Sequence, residues 1–159
     1  MNMCQRENGM ATTLTKILVH FIFSTKLREP FITPDIEPRL HAYMRGISKN
    51  CDSPVFIMNG MPDHVHMLIS VGKRISCADL MEAVKKDSSR WIKEQGPEFQ
   101  RFLWQEGYAG FSLGESGIDQ VCRYIQNQKK HHSRTTFQEE LLLFLKKYKI
   151  DYDERYLWT

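Results

Sequence analysis

His64-Val65-His66 sets two imidazoles two residues apart. On a strand both rings would point to one face, with Val65 turned to the other alongside Met67 and Ile69. Two neutral imidazoles side by side are half of a divalent-metal site. Tyr124 and Gln128 stand four apart in a segment that reads as a helix, so they are neighbours on one side of it. From Gln120 to Gln138 there is no acidic residue, while Arg123, Lys129, Lys130 and Arg134 supply four positive charges, with His131 and His132 among them. A face of that kind suits phosphate. Two imidazoles and an amide oxygen can hold a cation and leave positions open for a phosphate oxygen and water. A phenol beside the amide could then attack that phosphate, making a phosphotyrosine and splitting one transfer into two reversible steps. Nearby positive charge would help, because a phenol ordinarily ionises at about pH 10.

Each feature also has a plainer reading. A His-x-His can occur by chance. Asp63 could orient a ring or simply belong to a turn, and the turn is favoured. Tyr124 can be a half-buried tyrosine and Gln128 a surface amide. The basic run can be a solvated helix face. Lys85 and Lys86, with Arg90 and Lys93, add charge to the helix after Ser76, but Glu82, Asp87 and Glu94 partly offset it. His20 could line a site or sit satisfied in the core, and the core is favoured; Trp104, Tyr108 and Phe111 read as core, although single-strand binders also use aromatics as stacking platforms.

The elements that must position these residues follow from periodicity and punctuation. Residues 14–24 read as a central strand, apolar on both faces. A helix is expected from Thr33-Pro34 to about Lys49. Val55 to Met58 gives a second strand, residues 59–63 carry turn chemistry, and His64 to Val71 forms a third strand. Ser76 can cap a helix that runs to about Glu94. Phe102 to Leu113 reads as a fourth strand, irregular around Gly107 and Gly110. Ser116 then caps a helix to about His132, and another spans Phe137 to Lys149. The first helix has Ile118, Val121, Cys122 and Ile125 as its apolar stripe, with Tyr124, Gln128 and His131 on the rim. Strand-helix-strand-strand-helix-strand is the split βαβ order. The expected class is therefore α+β: a ferredoxin-like antiparallel sheet with helices on one face, plus a C-terminal helix carrying the tyrosine.

Composition excludes several alternatives. The 159 residues suit one domain able to bury its own core. With 42% hydrophobic and 26% charged residues, wholesale disorder is out. No apolar run is long enough for a membrane helix. Four scattered cysteines without a Cys-x-x-Cys pair argue for reduced thiols and a cytoplasmic setting. Neither phosphate-cradling glycine motif is present, so no nucleotide cofactor is expected. The net charge of +3 decides nothing by itself.

Four segments in order carry a resemblance: His20 to Lys26, Met61 to Ile69, Trp104 to Ser112, and Tyr124 to His132. They are similar to the IS200/IS605 transposases, single-tyrosine enzymes of the HUH class (His, bulky hydrophobic, His) that include those associated with repetitive extragenic palindromes. The resemblance runs from about Leu14 to Trp158, so residues 13–159 are expected to form one transposase domain after a leader, residues 1–12, outside the family pattern. It implies that His64, His66 and Gln128 bind Mg²⁺ or Mn²⁺ and that Tyr124 is the nucleophile. It also implies cleavage and rejoining of single-stranded DNA at hairpin-marked ends through a 5′-phosphotyrosine, by a homodimer in which the tyrosine helix can serve the partner's histidines. Arg123, Lys129, Lys130, Arg134, Lys85 and Lys86 are the DNA-binding candidates. Two other readings stay open: a non-cleaving single-stranded DNA-binding regulator derived from such an enzyme, and an RNA-binding ferredoxin-like module.

Overall fold

A hydrogen-bonded hairpin with a two-residue turn, Pro62-Asp63, joins β2 (Val55–Met61) to β3 (His64–Ser70). The computed structural model describes residues 12–158, so residues 1–11 of the expected leader lie outside the described residues. With β1 (Leu18–Ser24) and β4 (Ala109–Leu113), the hairpin completes a four-stranded sheet in the order β2-β3-β1-β4, each neighbour antiparallel. This is the expected α+β, ferredoxin-like topology.

The pleat sorts side chains between two cores. Val19, Phe21 and Phe23 of β1, with Val65, Met67 and Ile69 of β3, face α1 (Glu37–Asn50) and α2 (Cys77–Lys93), where Leu40, Met44, Leu80 and Val84 meet them. His20, Ile22, His64 and His66 therefore face the other way. On that side Ile22 and Phe111 pack with Phe137, Leu141 and Leu145 of α5 (Phe137–Lys147). Helices consequently cover both faces, α1 and α2 one, α5 the other. Tyr124 lies on α3 (Ile118–Gln126), which is followed by α4 (Gln128–His131), α5 and a last turn, α6 (Glu154–Leu157).

Several boundaries differ from expectation for local reasons. β1 begins at Leu18 because neither neighbour extends further, its end pairing with Ser70 and Leu113. β4 begins only at Ala109. Gly107 takes a left-handed conformation (φ 74°) that ends the extended run, leaving Trp104 as an isolated bridge to Thr25. Asn59 to Met61 continue β2 rather than turning. Gly60 is required there: a Cβ would meet the His64 carbonyl oxygen at 2.3 Å. Pro34 does not open α1; it lies in a preceding turn, and Pro38 occupies the first helical turn. Ser76 caps α2 by accepting from Asp79 N at 3.0 Å, as expected. Ser116 caps nothing. It belongs to a 3₁₀ turn over Glu115–Gly117.

The expected continuous helix from Gly117 to His132 is broken at Asn127, which leaves helical geometry (φ −91°, ψ 13°). Asn59 on β2 meets the break: its Nδ2 donates to the carbonyls of Ile125 (3.0 Å) and Gln126 (3.1 Å). These are carbonyls that a helix C-terminus leaves without internal partners.

Candidate active site

β3 presents His64 and His66 side by side, their ring centroids 5.3 Å apart and both side chains buried. Each ring is oriented from behind. His64 Nδ1 donates to Asp63 Oδ1 at 2.7 Å, so Asp63 both makes the turn and fixes a ring. His66 Nδ1 lies 2.8 Å from His20 Nε2 on the neighbouring strand. His20 is buried, as expected of a core residue, yet it also supports the site.

Across the gap stands Glu140 on α5, 1% exposed. Its carboxylate accepts from His66 Nε2 (2.7 Å), His132 Nε2 (3.0 Å), Gln128 Nε2 (3.2 Å) and the Tyr124 hydroxyl. His132 also lies 3.1 Å from His64 Nε2, and its Nδ1 donates to the Thr135 carbonyl at 2.6 Å. The ligand-capable atoms of His64, His66, His132 and Glu140 all fall within 4.8 Å of one another. Gln128 Oε1 is buried with no hydrogen-bond partner. A buried amide oxygen left so costs about 1–3 kcal/mol, and a cation is one group that would satisfy it.

Charge follows from burial. Desolvation holds His66 at about 4, against the pull of Glu140, and His20 at about 3, so both rings are neutral near pH 7. With neutral rings, His66 Nε2–H donates to Glu140, its bare Nδ1 accepts, and His20 Nε2–H donates to it. Burial also works against ionised Glu140, but hydrogen bonds from His132 and His66 outweigh it and push its pKa well below the usual carboxylate range. His132 is raised despite its own desolvation, chiefly by its hydrogen bond to Glu140. Both shifts favour the charge-paired state of His132 and Glu140. Tyr124 is pushed upward by desolvation first and by the charge of Glu140 second.

A family model described as Transposase IS200 like matches residues 13–128, which include both histidines, Tyr124 and Gln128. The chain belongs to this family of transposases. Among curated proteins it is 27% identical to the ISDra2 transposase TnpA of Deinococcus radiodurans over 114 residues, covering 69% of this chain and 81% of that one. Among solved structures it resembles a protein from D. radiodurans R1 assigned as a transposase (TM-score 0.59, 24% identity, 77% of this chain and 98% of that one). It also resembles a REP-associated tyrosine transposase bound to a REP hairpin (TM-score 0.59, 10% identity, 82% and 76%). These two likenesses concern the fold.

Within this transposase fold the expected site residues do not all behave as the sequence suggests. Gln128 is fully buried instead of sitting at a rim, because the break at Asn127 turns it inward. Arg123, Lys130 and Arg134 are exposed. Arg134 lines a groove of about 530 Å³ that reaches His64 and His132 and has Arg28 on its other side. Lys129 is instead tied to Glu37 at 2.6 Å and to Asn59 at 3.2 Å. Lys85 lies against the Phe23 ring, 5.6 Å from its centroid, on the face covered by α1 and α2, and burial lowers it to about 8. Lys86 is exposed on the same helix. Lys85 and Lys86 thus belong to the face of the sheet opposite the histidines.

Glu140 and His132 were not singled out from sequence. The signal for Glu140 was present: an acid three residues after Phe137 and four before Phe144, on the apolar stripe of a helix. His132 carried no separate signal, since its place depends on the turn after α4. No helix among the described residues is long and apolar enough to cross a membrane.

Proposed function

We propose that this protein is a metal-dependent transposase that cleaves and rejoins single-stranded DNA at hairpin-marked ends, with Tyr124 as the nucleophile. The observation that carries the reading is convergence. The Tyr124 hydroxyl, the Gln128 amide and the ring nitrogens of His64 and His66 meet within one buried cluster, although they come from three elements. His64, His66 and Gln128 would hold Mg²⁺ or Mn²⁺, and the unpartnered Gln128 Oε1 fits that role. A bound divalent cation would polarise the scissile phosphate and stabilise charge developing on it.

The remaining work falls to the chain's own groups. Tyr124 Oη forms the new bond to phosphorus, the bond from phosphorus to the 3′ oxygen breaks, and the strand leaves with a free 3′-OH. The 5′-phosphotyrosine keeps the energy of the broken ester, so rejoining needs no nucleotide cofactor. Asp63 and His20 hold the two imidazoles in orientation. Arg28, Arg134, Lys130 and Arg123 would attract the DNA backbone. A homodimer would supply two such sites for two DNA ends.

The bond from Tyr124 to Glu140 and the upward push on the phenol favour a second reading, a regulator that binds single-stranded DNA without cutting. One assay separates them. Purified protein is mixed with Mn²⁺ and hairpin-bearing single-stranded oligonucleotides, and SDS-resistant adducts are scored. Wild type should form an adduct, while Tyr124→Phe should bind the same DNA and form none. An adduct with Tyr124→Phe would remove Tyr124 from its role. No wild-type adduct with any hairpin would favour the regulator.

A further inference from the structure

We propose that the cavity between α3 and α5 is a nucleobase pocket. It takes the base on the 3′ side of the scissile phosphate, from the nucleotide whose 5′ phosphate joins Tyr124. The proposal rests on the reading of Tyr124 as nucleophile and deepens it, because it assigns the side chains that select the nucleotide at the cut.

Three observations carry it. The first is place. The Tyr124 hydroxyl reaches Glu140 in the histidine cluster, while its ring stands against Phe144 of α5, centroids 5.4 Å apart. The cavity is lined by Tyr124 and also touches His20 and Glu140. A phosphate joined to the hydroxyl is separated from its own base by one deoxyribose, so that base has the cavity within reach. The second is size and lining. A volume of about 360 Å³ lies at the small end of ligand cavities and suits one planar group rather than a length of strand. Leu113, Val121 and Leu143 make apolar wall, and Gln120, His131 and Lys147 supply the few polar groups that fix an orientation. The Gln120 amide offers both a donor and an acceptor to a base edge.

The third observation is the rings. Phe144 and Tyr148 line the cavity, and both stack on buried Phe111, at 5.2 Å and 20° and at 4.7 Å and 27°. Phe144 and Tyr148 are themselves 16° from parallel. A base that enters therefore meets rings already held parallel, and stacking on aromatic side chains is how single-strand binders hold bases. The wall formed by α5 lies past residues 13–128, the segment that matches the family model.

The test begins with wild-type adducts on a hairpin-bearing strand with Mn²⁺, which locate the cleaved phosphate. Replacing the nucleotide on its 3′ side with an abasic one should lower adduct yield at least about fivefold. Leu143→Trp narrows the cavity from a side chain 63% exposed, so the fold should tolerate it. That variant should bind the hairpin as wild type does and show the same loss on intact DNA, while both proteins cut the abasic strand equally. With 5-iodouracil at that nucleotide, light should crosslink Tyr124→Phe protein within residues 143–148. Full yield on the abasic strand, full yield from Leu143→Trp, or a crosslink confined to other segments would overturn the pocket and leave Tyr124 as nucleophile. No adduct on intact DNA would bring down both readings.

Discussion

Glu140 shows how one side chain can organise a site. Folding withdraws its carboxylate from water, which would cost several kcal/mol if it were left alone, and gives it three donors besides the Tyr124 hydroxyl. His66, which donates to it, and His20 behind His66 stay neutral near pH 7, and this gives stability a definite pH dependence. His20 and His66 ionise at about 3 and about 4 in the folded chain, and buried His41 at about 4, against 6.5 when unfolded. Their contributions are complete above pH 6.5 and are lost as pH falls toward those values. His132 is raised, so its contribution is complete below 6.5 and fades as pH rises. Glu140 is lowered, so its own is lost only below the ordinary carboxylate range. Unfolding in urea with chelator should therefore show stability falling from pH 6.5 to pH 5. Replacing His20 with Phe, among Phe111, Tyr124 and Phe144, should remove about one proton from that slope, or about 1.4 kcal/mol per pH unit. Identical slopes for wild type and His20→Phe would show that His20 is not held neutral.

At the scale of elements, β3 needs only its period of two to put both histidines on one face, while α3 and α4 need help from outside. Asn59 supplies it, holding the end of α3 and, through Oδ1, Lys129 at the start of α4. Asn59→Ala should leave two helix-end carbonyls without their donor. The expected cost is about 1–3 kcal/mol, with a fall in Tm of about 2–4 °C for each kcal/mol. Adduct yield should fall further than stability accounts for, since Gln128 follows the break directly. A variant as stable and active as wild type would mean that α3 and α4 set their own angle. At α5, Thr136 accepts from Glu139 N while the Glu139 side chain accepts from Thr136 N, so Thr136→Ala should cost about 1 kcal/mol and loosen the helix that delivers Glu140. Thermal melts read that cost directly. The same elements explain what could be read from the chain. Strand order, α2 with its Ser76 cap and the facing of His64 and His66 follow from patterns within a few residues. The break at Asn127 and the burial of Gln128 depend on a strand more than 60 residues earlier in the chain. Glu140 was hidden for the same reason: its donors come from β3, α3, α4 and the turn before α5 rather than from its own helix.

At the scale of the molecule, the +3 net charge understates a one-sided arrangement. The face of the sheet carrying the histidines opens to a groove edged by Arg28 and Arg134, with Lys130 and Arg134 lining an adjoining hollow. Lys85 and Lys86 lie on a helix against the opposite face, and Lys129 is neutralised by Glu37. The cations that can release counterions from a strand entering the site are therefore fewer than the count of basic residues suggests. For single-stranded DNA, log affinity falls with log salt at about 0.7 per phosphate neutralised. If about four side chains take part, the slope is about −3 for wild type. Arg134→Ala should reduce its magnitude by about 0.7 and weaken binding at low salt, while Lys86→Ala should change neither. Lys129→Ala should leave the slope nearly intact, because its charge is already spent on Glu37 at 2.6 Å. Fluorescence anisotropy with a labelled strand over a salt series measures all three. A larger change for Lys86→Ala than for Arg134→Ala would place the DNA on the α2 side of the sheet, away from Tyr124.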